Sequence, residues 1–470
     1  MIRKTKIITT VGPKTASLEM IRLLIQRGAN VIRLNFSHFS HEKAREVISN
    51  IKEVNRELGS HTAILADLQG PKIRLGDILK PARIKKGEQV VFCTKNKKNT
   101  IPVDYKGFAK EVAIKDRVLV DDGKLGLEVV STNKRDTVVL KTLFGGTLYS
   151  RKGVNLPNTT ISLPSITQKD SNDLDFILSQ KIEWVGLSFV RKSKDIKDLK
   201  KIIKKAGASH KVIAKIEKPE AIKNIHSIID CSDAIMVARG DLGVEVLPQK
   251  VPVYQKMIVN KCIERSTPVI IATQMLESMT TSPTPTRAEA NDVANSVIDG
   301  ADALMLSGET SIGKHPLKAV DTMRKIIRGI EASDHSISKN TEAGEIQKDD
   351  RFLTNAICLN ATSIAEQSNA KAIITNTYSG FNSIKVSSFR PHAFIYAFTN
   401  NHTILNTLSL VWGVQGVYYE GAATTSETIR ETKEILKKSK RLRKGDLVVN
   451  IASMPAREKG TTNMMKISKV

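Results

Sequence analysis

The segment IAKIEKPEAI, residues 213–222, sets Lys215 and Glu217 two apart at the end of a short apolar run. Strand side chains two apart share a face, about 6.6 Å from one another at ~3.3 Å per residue. Alone, such a pair is simply a salt bridge. The same polar chemistry, however, recurs at the ends of other β-branched runs. Arg33, Asn35 and Ser37 close NVIRLNFS, Asp67 closes TAILAD, Arg239, Gly240 and Asp241 follow DAIMVA, Thr273 ends TPVIIAT, and Ser307 and Glu309 follow ADALML. Each has a plain structural use, as a helix cap or a backbone hydrogen-bonder. Together they form the mixed-charge set of a site. The carboxylates Glu217 and Asp241 suit a hard divalent cation that keeps waters and takes its other ligands from the substrate, as Mg²⁺ does. Arg33, Arg74 and Lys215 around it would collect phosphate oxygens. In ARGDLGVEV, Gly240 permits close backbone approach, and a helical turn starting there would offer N–H groups to a carboxylate. The stretch around NTYSGFNSI (376–384) gathers the hydroxyls of Thr375, Thr377, Ser379 and Ser383 at a predicted helix start, which reads either as a second phosphate cradle or as ordinary capping.

Such groups converge only if the runs lie side by side. Eight can be counted: KIITTVG, NVIRLNF, TAILADL, EWVGLSF, KVIAKIE, DAIMVAR, TPVIIAT and ADALMLS, nearly all followed by helical periodicity. Eight βα units predict a (β/α)8 barrel, whose polar strand ends meet at the C-terminal mouth. The barrel is expected over residues 1–71 and 159–335. The third unit is interrupted: from 72 to 158, short strands between Gly, Asp and Asn turns predict a small β domain placed as a lid over the mouth. After the polar stretch 331–350, alternating helix and strand predict an open α/β domain over 336–470, with AIITN, FIYAFT, GVYYE and DLVVNIA as strands.

The chain has 470 residues and a net charge of +25, with 40% hydrophobic residues. The lysines of KSKDIKDLKKIIKKAG lie opposite an apolar stripe of Ile196, Leu199, Ile202 and Ile203, the pattern of a solvated face rather than a specific nucleic-acid surface. No apolar run reaches the ~18–20 residues of a membrane helix, and MIRKTKIITT lacks the apolar stretch of a signal peptide, so the cytoplasm is expected. Cys93, Cys231, Cys262 and Cys358 form no zinc spacing.

The blocks TKIITTVGP, NVIRLNFSH, DLQGPKIR, KGVNLP, IAKIE, MVARGDLGVE, ATQMLESM and PTRAEANDVANSVIDGADALMLSGET, with GTTNMMKI near the C-terminus, resemble the pyruvate kinase family along essentially the whole chain. The resemblance implies a glycolytic phosphotransferase that moves the phosphoryl group of phosphoenolpyruvate to ADP, as an allosteric cytoplasmic homotetramer. It implies Glu217 and Asp241 as ligands of Mg²⁺, or of Mn²⁺ in its place, and Lys215 as stabiliser of the phosphoryl group in flight. Arg33 would hold the phosphate, Gly240 and its neighbours the substrate carboxylate, and Thr273 would sit near the carbon to be protonated. Asn35, Ser37, His38, Arg74 and Lys152 fall where the family contacts nucleotide phosphates. Many relatives bind K⁺ through the positions of Asn35, Ser37, Asp67 and Leu68, with a Glu where this chain has Lys72; the lysine predicts Mg²⁺ dependence with little need of K⁺. Phe39 replaces a usual Gly, the chain starts directly at its first strand, and the loop at 453–463 is poor in glycine, which leaves the identity of a phosphorylated effector open. Two rivals are a Mg²⁺-dependent pyruvate-enolate aldolase or lyase on a similar barrel and an inactive basic regulatory protein. The first needs neither the insert nor Arg33, Arg74 and Lys152; the second predicts loss of Lys215, Glu217 or Asp241, all of which are present.

Overall fold

The computed structural model describes residues 3–95, 97–333, 351–454 and 461–470. The expected boundary at 335/336 and most of the loop at 453–463 lie outside these residues. Eight parallel strands close a barrel: Lys6–Thr10, Val31–Asn35, Ala63–Asp67, Trp184–Leu187, Lys211–Ile216, Ala234–Ala238, Val269–Ala272 and Ala303–Leu306, here the first to the eighth strand. Sequential strands are neighbours throughout, as βαβ crossovers dictate. Ile8, Val31, Leu65, Trp184, Ile213, Met236, Ile270 and Met305 fill the interior. Every second side chain on a strand faces the same way. Val31 is therefore followed on the inner face by Arg33, Leu65 by Asp67, and Ile213 by Lys215 and then Glu217. The inner surface passes from apolar to charged within one residue pair.

The helices bury an apolar stripe against the outside of the strands. The helix His41–Leu58, for example, is capped by the Ser40 side chain, ends at Gly59 with φ 57°, and buries Val47, Ile48, Ile51 and Val54. Between the third and fourth strands, a six-stranded and a two-stranded sheet surround a separate core that includes Phe92, Phe108, Val118, Leu127, Val138 and Leu140. The chain enters and leaves this insert as a paired stem, with Leu75 N–H donating to the Lys152 carbonyl at 2.8 Å and Val154 N–H to that of Ile73 at 2.9 Å. Ile161 and Leu163, beyond residue 158, still pack on that core.

The C-terminal sheet has strand order Val414–Tyr418, Phe394–Thr399, Ala372–Asn376, Leu447–Ala452 and Met464–Lys469. Its last strand is antiparallel and was not among the expected runs. This domain closes the N-terminal end of the barrel, where Leu410 joins the interior core and Arg390 pairs with Asp302 at 2.8 Å. The insert and the C-terminal domain thus attach at opposite ends of the barrel.

Candidate active site

The third, fourth and fifth strands build the centre of the site. Lys215 Nζ lies 2.7 Å from Ser188 Oγ, 3.0 Å from Glu217 Oε1 and 3.2 Å from Asp67 Oδ1. Asp67 also accepts from Arg33, with Nη2 at 2.6 Å and Nε at 2.8 Å, and Arg33 Nη1 reaches Thr10 Oγ1 at 3.1 Å. Lys215 must cross the fourth strand to reach Asp67, and Gly186 stands there; a Cβ on it would come 3.0 Å from Asp67 Oδ1. The backbone N–H of Phe189 donates to Glu217 Oε2 at 2.7 Å, from a residue held at φ 53°. A bulky residue in the left-handed region costs roughly 1–3 kcal/mol, and the surrounding contacts must enforce it.

These charges set one another's ionisation. Burial opposes the Lys215 ammonium, but Asp67 and Glu217 outweigh it and hold the group above the ordinary lysine range. Burial likewise opposes the Asp67 carboxylate, yet Lys215 and Arg33 keep its pKa below the usual value. Glu217 is pushed up, chiefly by burial and further by the charge of Asp241, against the pull of Lys215. The cluster therefore presents two fixed cations beside a carboxylate that gains by acquiring a positive partner.

Asp241 opens the short helix Arg239–Glu245 after the sixth strand, and its Oδ1 pairs with Lys72 Nζ at 3.1 Å. Lys72 sits at the base of the insert stem, 3.9 Å from Asp122 of the insert. The Gly240 N–H is not free, because it donates to Thr273 Oγ1 at 2.7 Å, and that hydroxyl donates to the Ala272 carbonyl at 2.5 Å. Thr273 and Gln274 both have positive φ, 68° and 54°. The Arg239 guanidinium holds this strained turn by donating to the carbonyls of Thr273, at 2.7 Å, and Gln274, at 3.3 Å. Arg239 and Glu309 stand at the mouth, as the sequence reading placed them, and also brace it: Glu309 accepts from the N–H groups of Ser307 and Leu276. A cleft of about 930 Å³ opens between the mouth and the insert, lined by Lys72, Gly240, Asp241, Thr273 and Asp122 among others. Arg33, Lys215 and Glu217 do not line it and are almost wholly buried.

Other expected residues are placed less centrally. Asn35 accepts from Ser37 N–H at 3.2 Å, and His38 is exposed just beyond. Arg74 donates to the Arg151 carbonyl, and Lys152 pairs with Asp121 at 2.8 Å, both on the insert stem. Leu68 turns its side chain into the core between the strands and the helices, and its carbonyl accepts from Ser188 Oγ. In the C-terminal domain, Thr377 and Ser379 line a cavity of about 600 Å³. Thr375 and Ser383 correct the expected cradle: both are fully buried and bonded to each other at 2.6 Å.

Ser188 and Gly186 went unread in the sequence because EWVGLSF carries no charge near its end. Their signal is phase: Trp184, Gly186 and Ser188 share the inward face.

No group of three or more His, Cys, Asp and Glu side chains suited to a metal occurs among the described residues. Glu217 and Asp241, just beyond the ends of adjacent strands, are two hard oxygen donors of the kind that fits an ion whose remaining ligands are water and substrate. A barrel mouth with two buried cations beside carboxylates, and an inserted domain above it, is a setting suited to phosphoryl transfer. The family model described as pyruvate kinase, barrel domain, matches residues 2–320, and that described as pyruvate kinase, alpha/beta domain, matches 355–468. The chain belongs to the pyruvate kinase family. It is 43% identical over 479 residues to pyruvate kinase 2 of Synechocystis sp., spanning all of this chain and 79% of that protein, and 40% identical over 477 residues to a pyruvate kinase of Staphylococcus epidermidis, spanning all of this chain and 81% of that one. The crystal structure of a pyruvate kinase from Cryptosporidium parvum superposes with a TM-score of 0.93 at 35% identity, covering 99% of this chain and 96% of that one.

Proposed function

We propose that this chain transfers the phosphoryl group of phosphoenolpyruvate to ADP at the barrel mouth, giving ATP and pyruvate. The observation that carries the reading is the placement of Lys215 between Asp67 and Glu217, with Arg33 on the same carboxylate. The bond from phosphorus to the enol oxygen breaks as one to a terminal β-phosphate oxygen of ADP forms; the electron pair stays on the enolate oxygen, and the carbon then takes a proton. Little covalent help is needed, so positioned charge does most of the work. Lys215 and Arg33 balance the equatorial oxygens in flight, and the strained turn keeps Thr273 beside the carbon to be protonated. The backbone at Gly240 and Asp241, at the helix start, would meet the substrate carboxylate, with the Gly240 N–H giving up its bond to Thr273 Oγ1. Glu217 and Asp241 would hold Mg²⁺, or Mn²⁺ in its place, which supplies charge neutralisation to the phosphate and enolate oxygens. Asn35, Ser37, His38, Arg74 and Lys152 would meet the nucleotide phosphates, and the insert would exclude water.

The reading includes a weak K⁺ requirement. Lys72 places an ammonium 3.1 Å from Asp241, and of the four K⁺ positions Leu68 is in the core while Asp67 already serves Arg33 and Lys215. It also includes a cytoplasmic homotetramer and a phosphorylated effector in the C-terminal cavity, bound through Thr377 and Ser379. Among the described residues no helix is long and apolar enough to cross a membrane. The test is a coupled assay for pyruvate in tetramethylammonium buffer. Pyruvate should form from phosphoenolpyruvate and ADP with Mg²⁺ alone and change less than about threefold on adding K⁺. No pyruvate under any cation condition would sink the reaction, and a large K⁺ activation would sink the role of Lys72.

A further inference from the structure

We propose that Ser188 is the positioning residue of Lys215, the anchor that keeps its ammonium aimed at the transferring group. The inference rests on the reading of Lys215 above. An ammonium has three protons to place; Lys215 donates one to Ser188 Oγ at 2.7 Å and is paired by charge with Glu217 Oε1 at 3.0 Å and Asp67 Oδ1 at 3.2 Å. The two carboxylates have other duties, because Asp67 serves Arg33 through its second oxygen and Glu217 is placed to serve a divalent ion. Ser188 has none. It is 2% exposed, and its one proton is spent on the Leu68 carbonyl at 2.7 Å, so its lone pairs are left for the ammonium. That carbonyl is itself fixed, since the Leu68 N–H donates to Gly186 at 3.0 Å.

Ser188 is therefore the neutral member of the three, the one that takes a hydrogen bond from the ammonium, and its hold does not depend on what the carboxylates bind. When substrate or an ion claims a carboxylate oxygen, the proton released from that contact can turn to the phosphoryl oxygens while the Ser188 bond keeps the nitrogen in place. An unanchored lysine would instead follow the carboxylate, and the loss would fall on the transition state more than on binding. Ser188 touches no reacting atom in this account.

The test compares Ser188→Ala with the pair Ser188→Thr and Ser188→Val. Space is tight, as a Cβ on Gly70 would lie 2.8 Å from Ser188 Cβ. The extra methyl of Thr and Val meets that crowding equally, so the pair differs in the hydroxyl alone, even if Ser188→Ala fails to fold. The expected result is a 10–100-fold lower kcat for Ser188→Ala. KM for phosphoenolpyruvate and the Mn²⁺ dissociation constant, read by electron paramagnetic resonance, should stay within threefold of the parent. Ser188→Thr should turn over at least tenfold faster than Ser188→Val at a similar unfolding midpoint. Equal losses in Thr and Val, a loss confined to KM, or a kcat for Ser188→Ala within twofold of the parent would overturn the inference alone. A parent chain that makes no pyruvate would overturn it together with the reading on which it rests.

Discussion

Both ends of this barrel bury charge, and they do so to opposite purpose. At the N-terminal end, Arg390 pairs with Asp302 at 2.8 Å and donates to the Gly300 carbonyl, while Asp302 also accepts from the N–H groups of Val269 and Trp412. Glu183 accepts from Ile64 N–H and Asn406, and Lys6 donates to the Val414 carbonyl. The C-terminal domain seals these groups, which are held by one isolated ion pair and otherwise by fixed backbone and side-chain dipoles. At the C-terminal end, Lys215, Arg33, Asp67 and Glu217 share partners among themselves beneath an open cleft, with two left-handed turns, at Phe189 and at Thr273 and Gln274, shaping the rim. Buried charge by itself therefore does not mark a site. What marks it is a cluster of charges that share partners under strained backbone, where a ligand can arrive.

The comparison can be broken from either side. The largest stability effect belongs to the sealed end: Arg390→Met leaves Asp302 buried without its cation and should cost about 3–5 kcal/mol. Urea unfolding measures it, and kcat of the folded fraction should stay within threefold of the parent. At the mouth, Glu217→Gln should weaken Mn²⁺ binding by about 100-fold or more, since even groups behind a ligand are worth 10–100-fold. Its unfolding free energy should change by less than about 1 kcal/mol, because the neutral side chain is cheaper to bury. A metal titration matching the parent would remove Glu217 from the ligand set.

The third effect is a slope. Burial, helped by the nearby charge of Arg3, lowers Lys6 to about 7, against 10.5 for an ordinary lysine. Between those values the unfolded chain binds the extra proton, so stability rises with pH across that window and the contribution is lost as pH falls through about 7. Lys6→Met should remove this rise. Relative to the parent, it should gain stability as pH falls from 10 to 7, and parallel profiles for the two proteins would contradict the assignment.

The sequence made one end more legible than the other. The mouth could be assembled from residues such as Lys215, Glu217 and Asp241 because a (β/α)8 pattern brings strand ends together wherever they lie in the chain. The actual use of each group was less visible. Arg239 was read only as a polar residue at the mouth, and its bracing of a strained turn was not foreseen; Thr375 and Ser383 looked like donors and are spent on each other. Both depend on rotamers and backbone φ, which residue type and spacing do not report. Asp302 and Arg390 could not be paired at all, since 88 residues separate them and only the docking of a second domain brings them together.

The account stands on Lys215 as the charge that acts on the phosphoryl group in flight. The most direct measurement is the steady-state turnover of Lys215→Met, taken with phosphoenolpyruvate binding to the same sample by isothermal titration. A fall in kcat of about 10³ or more, with binding within tenfold of the parent, is the expected result for a group whose work is confined to the transition state. Turnover near that of the parent would contradict it.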